Sequence, residues 1–217
     1  MTTIKRPTQK IGGPDPIEKI IKRTKRLATK HGVKVVLSGD RYVQSGGIKS
    51  NGYFDDEELV LAVACGDQMK HQWQATFLHE SSHMDQWIEQ IPEWQTKIND
   101  IDATKLLDLW MNGNIELNKK QLNAYVRAAR DIELDCERRT VKKIIKNRIR
   151  LIDVPTYIQK ANAYVYFYNY LKKSRKWYTI GKEPYNIEEI WAKMPINFDN
   201  DYEKLPKKFE RLFDKHL

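Results

Sequence analysis

The run His79-Glu80-Ser81-Ser82-His83 sets two imidazoles four residues apart around a glutamate. A helix turns about 100° per residue, so side chains at this spacing stand on one face. Two imidazoles so placed can share a zinc ion, and the carboxylate between them can take a proton from a water bound to that ion. The pattern predicts a hydrolase with one Zn²⁺ per chain. His79 and His83 are the expected metal ligands, Glu80 the general base and a peptide bond the expected target.

The flanking residues must form that helix. Their apolar periodicity predicts it over 72–90, and it ends before Pro92 because Ile91, preceding a proline, is pushed out of the helical region. Trp73, Phe77, Met84, Trp87, Ile88 and Ile91 make its apolar stripe. The histidines lie about 100° from the centre of that stripe, on a face with Gln72, Ala75, Gln86 and Gln90, as the wall of a cleft requires. The alternatives are an ordinary surface His pair or a structural zinc site. Closed structural sites draw on cysteine-rich sets, and this chain has only Cys65 and Cys136.

A catalytic zinc takes a third protein ligand. Glu89, six residues after His83, points away from the His face if the helix continues, and His31, His71 and His216 sit in no motif. A second helix, free of Gly and Pro, is predicted over 118–150. Leu122, Val126, Ala129, Glu133, Cys136, Glu137, Thr140 and Ile144 project to one of its faces, and Asp131 and Asp135 to the other. Glu133 thus falls in an apolar stripe. A buried carboxylate is costly unless paired, which leaves two partners open: a metal ion, or a core-facing arginine such as Arg127 or Arg130.

A strand predicted at 58–64 leads into the His helix, and Glu133 and Glu137 follow on another. This order resembles the gluzincin branch of the zincin metallopeptidases. Over residues 15–145 the succession of helix, small sheet, His helix and Glu helix resembles the minimal core of ImmA/IrrE-like peptidases. The resemblance implies Glu133 as third ligand, Glu137 as the carboxylate orienting a ligand histidine, and a substrate peptide laid along a sheet edge. It also implies a Tyr or His that stabilises the oxyanion. Tyr157, Tyr164 and Tyr168 share one face of a helix predicted at 156–173 and are candidates, with aromatic packing the alternative.

The expected fold is therefore α+β: a mostly helical, zincin-like domain over 15–173 with a small N-terminal sheet, preceded by a flexible arm at 1–14 and followed by a helical extension at 174–217. Within it, residues 42–54 read as a loop or irregular hairpin. At 217 residues, 41% hydrophobic, the chain can bury a substantial core. No apolar run reaches membrane-spanning length and the N-terminus lacks a secretory pattern, so a cytoplasmic protein with no membrane partner is expected. The net charge is +9, with cations grouped at 19–30 and 138–150. Two further readings follow: a protease recruited to nucleic acid through its basic helix, or a non-enzymatic basic binding module.

Overall fold

The computed structural model describes residues 15–66, 72–94, 97–98, 101–179 and 181–217. The expected arm at 1–14 and His71 lie outside the described residues. The fold is α+β and mostly helical. Helix α1 (Pro16–Lys30) begins at Asp15, whose carboxylate accepts from the Ile17 N–H, with Pro16 in the first turn, where no N–H is missed. Gly32, at φ 76°, turns the chain into strand β1 (Lys34–Ser38). Strands β2 (Val43–Ser45) and β3 (Ile48–Ser50) form a hairpin about Gly46 and Gly47, both at positive φ as a tight two-residue turn requires. Strands β4 (Gly52–Asp55) and β5 (Val60–Ala64) complete a sheet of order β1-β5-β4, with β5 parallel to β1 and antiparallel to β4.

The hairpin expected within 42–54 is present, but residues 52–55 form a strand that no alternation announces. β4 is held by its register, Gly52 opposite Val63, and by the Ser45 hydroxyl donating to Asp55. Both faces of β5 are covered. Leu61 and Val63 meet Phe77, Leu78 and Met84 of helix α2 (Gln72–Glu89), while Ala62 and Ala64 pack with Val43 of the hairpin.

Two short strands, β6 (Lys97–Ile98) and β7 (Ile101–Asp102), precede helix α3 (Ala103–Met111). Helix α4 (Lys119–Asn147) opens with a capping box between Asn118 and Gln121 and closes on Arg148 at φ 54°. Helices α5 (Val154–Ser174), α6 (Glu188–Trp191) and α7 (Lys207–His216) follow. The C-terminal end of α4 joins the sheet core through Ile144; its N-terminal half, through Tyr125 and Val126, joins a second core with Phe167 of α5, Ile190 of α6 and Phe213 of α7. No helix among the described residues is long and apolar enough to cross a membrane.

α4 approaches α2 closely because the two residues inside the His motif are serines. Ser81 and Ser82 are fully buried and both return their hydroxyls to the Leu78 carbonyl, at 2.9 and 2.8 Å. From α4, Thr140 donates to Ser82 at 3.2 Å and Lys143 to Ser81 at 2.8 Å. Gly52 makes a similar close approach on the sheet side. A Cβ there would lie 2.6 Å from the Thr76 methyl and 3.1 Å from Cγ of Glu80. Gly52→Ala is therefore expected to lower stability by about 1–3 kcal/mol through overpacking, read as a lower urea midpoint at unchanged m-value.

Candidate metal centre

His79 and His83, one turn apart on α2, turn their Nε2 atoms to within 3.2 Å of each other. Glu133 on α4 brings Oε2 to 3.6 Å from His79 Nε2 and 3.4 Å from His83 Nε2. That oxygen is buried and accepts no hydrogen bond. Three donor atoms thus form a triangle with edges of 3.2, 3.4 and 3.6 Å. A tetrahedral ion with donors at about 2.0–2.1 Å spaces them about 3.3 Å apart. The donor set therefore fits zinc. The arginine alternative for Glu133 is not realised: Arg127 pairs with Glu203, and Arg130 with Asp131 and Glu203.

The far sides of the three ligands are fastened. Gln86, fully buried, donates its amide to the Ile132 carbonyl and to Asp135, which turns its oxygen to His83 Nδ1 at 2.8 Å. Nδ1 therefore donates and Nε2 keeps its lone pair for the triangle. Glu137 places Oε1 3.3 Å from His79 Nδ1, and its other oxygen accepts from the Tyr157 hydroxyl at 2.6 Å. The Tyr168 hydroxyl donates to Glu133 Oε1 at 3.4 Å, and Tyr164 meets Tyr168 at 3.1 Å. Of the three candidate tyrosines, Tyr157 and Tyr168 thus hold carboxylates, while Tyr164 lines the cleft beside His79 and Glu80.

His79, His83 and Cys136 also lie within 4.8 Å of one another. Cys136, however, approaches His79 at Nδ1, 3.5 Å away on the far side of the ring, and gives its S–H to the His79 carbonyl at 3.3 Å. Burial pushes its thiol up to about 12, so it is protonated at neutral pH. Glu89 is spent on Arg139, on the exposed side of α2; His31 packs edge-on against Trp87, and His216 ends α7.

Burial holds the Glu80 carboxyl above its ordinary value, and the two histidines pull it down without cancelling that rise. Burial alone would lower both imidazoles. The groups packed on His79, the Glu137 carboxylate among them, outweigh it there, and Glu133 outweighs it at His83, which reaches about 9. Glu133 answers in kind: burial raises its carboxyl, but the histidines bring it below the usual range. Glu80 and His79 face a cleft of about 650 Å³ bordered by Ile48, Gly52, Leu151, Tyr164, Trp177 and Tyr185. The roles of Gln86, Trp177 and Tyr185 were not assigned from the sequence. Gln86 shares the His face and could have been found there. Trp177 and Tyr185 come from the segment after α5, which only tertiary folding brings to the site. No family model, curated protein or solved structure matches the chain.

Zinc measured by mass spectrometry on purified protein is expected near one per chain, lost in Glu133→Ala and kept in Cys136→Ser. The pH dependence has a definite sign. His83 rises from 6.5 to about 9 in the fold, so its contribution to the metal-free protein is complete below about 6.5 and is lost as pH rises through about 9. Thermal midpoints in chelator should fall across that window. Zinc affinity should climb across it, with proton release, because the ligands must be deprotonated.

Proposed function

We propose that the chain is a zinc-dependent metallopeptidase, a reading carried by the unpartnered Oε2 of Glu133 in its triangle with the two Nε2 atoms. His79, His83 and Glu133 would hold the ion. Bound there, zinc supplies a Lewis acid that acidifies water and polarises a carbonyl. Glu80, on the cleft side of the histidines, takes the proton of the attacking water and passes it to the leaving amine. A buried carboxyl whose affinity for protons is already raised suits that exchange. Tyr164, whose hydroxyl would turn its proton from the Tyr168 oxygen toward the substrate, is the residue we assign to the oxyanion.

The substrate we infer is an extended peptide. β4 is the edge strand next to Glu80, and its outer edge can pair with an added strand. Among the described residues, four of the six exposed large hydrophobic side chains, Tyr42, Ile48, Leu151 and Trp177, border this cleft, which favours peptides with bulky apolar side chains.

Glu80→Gln keeps the size of the side chain and removes the base. It is expected to retain zinc while hydrolysis of an apolar peptide library falls by about 10²–10⁴-fold. Undiminished cleavage in this variant would refute the mechanism. Zinc held by the wild type without turnover of any peptide would favour a non-enzymatic module.

A further inference from the structure

α1 carries a cationic stripe directly opposite its buried side. Taking about 100° per residue, Lys19, Lys22, Arg23, Arg26 and Lys30 lie within about 60° of Lys19, while Ile17, Ile20, Thr24 and Ala28 face the core. All five cations are exposed, as is Lys25 beside them. The C-terminal end of α4 lies against the same helix, since Ile17 and Ile20 share a core cluster with Ile144 and Ile149. The exposed Lys142, Lys146, Arg148 and Arg150 stand at that end of α4, outside the stripe.

None of these cations forms an ion pair among the described residues. The arginines and lysines that do, such as Arg130, Arg139 and Lys173, belong to other faces. A face kept for solvation alone ordinarily intersperses acids at helical spacing, but here Glu18 is the one acid on α1. From Lys19 to Lys30 the stripe runs about 16 Å, the axial length of about five nucleotides of a duplex strand.

We infer that this face binds the phosphate backbone of nucleic acid. A lipid surface fits less well. An interfacial helix must offer its apolar side to the bilayer, and that of α1 is sealed in the core, with Ile17 2% and Ala28 0% exposed. α1 packs on β1, at the sheet edge opposite β4. The inference stands whether or not the protein is a peptidase.

The experiment is fluorescence anisotropy of a labelled duplex of about 20 base pairs, titrated with the full chain as purified from about 50 to about 200 mM salt. The triple variant Lys22→Glu, Arg23→Glu, Arg26→Glu is compared with a control of equal charge change, Lys119→Glu, Lys120→Glu, Lys207→Glu. Lys119 and Lys120 lie at the other end of α4. Wild type and control should bind with a log–log salt slope near −4.5, the value for about five neutralised phosphates. The α1 variant should lose at least tenfold in affinity and about two to three units of slope. Absence of duplex binding at the lowest salt overturns the inference. So does an equal loss in the control, or binding to phosphatidylserine vesicles in place of the duplex.

Discussion

Glu133 is a carboxylate taken out of water, with one oxygen that meets no hydrogen-bond donor. Such a group is tolerated only against a compensating charge, and leaving it uncompensated costs about 3–5 kcal/mol. Without metal, the nearby compensation is a proton on His83, and this is why that imidazole holds its proton so tightly. A divalent cation at the same point satisfies the carboxylate and both Nε2 lone pairs together. Around that point, Gln86, Glu137, Tyr157 and Tyr168 hold the far atoms of His83, His79 and Glu133, so little would remain to be ordered if an ion bound there.

That arrangement depends on how closely two helices can lie. Ser81 and Ser82 are small and satisfy their own hydroxyls on the preceding turn. They let Thr140 and Lys143 of α4 reach α2 and set the register that brings Glu133 and Glu137 opposite the histidines. α4 also contributes buried residues to both cores: one end packs on the sheet with α1, the other among α3, α5 and α7. Displacing α4 would disturb the ligands and both cores together.

Much of this was legible in the chain. Helical periodicity placed the two histidines on one face and put Glu133 among apolar neighbours, because both relations lie within single helices, where spacing dictates direction. The mutual distance of Glu133 and the histidines was not legible from spacing, since it depends on the contact of α2 with α4. Residues 52–55 escaped for a related reason. Gly52 gives no alternation signal, and the strand exists through its pairing with β5. Whether Glu133 faces a metal ion or an arginine turns on Glu203, from the segment between α6 and α7, which engages both Arg127 and Arg130. The cleft wall of Trp177 and Tyr185 likewise depends on the chain turning back after α5 at Arg175, which adopts φ 48°.

This return of the chain has a consequence for biosynthesis. A polypeptide made from its N-terminus presents His79, His83 and Glu133 to the cell before Trp177 and Tyr185 have been added. The segments carrying Tyr202, Phe209 and Phe213, which close the core around α5, emerge later still. During elongation the ligands can meet, but the groove that would hold a peptide beside Glu80 lacks one wall. On the proposed function, the capacity to bind an ion and the capacity to retain a substrate would therefore arise at separate times.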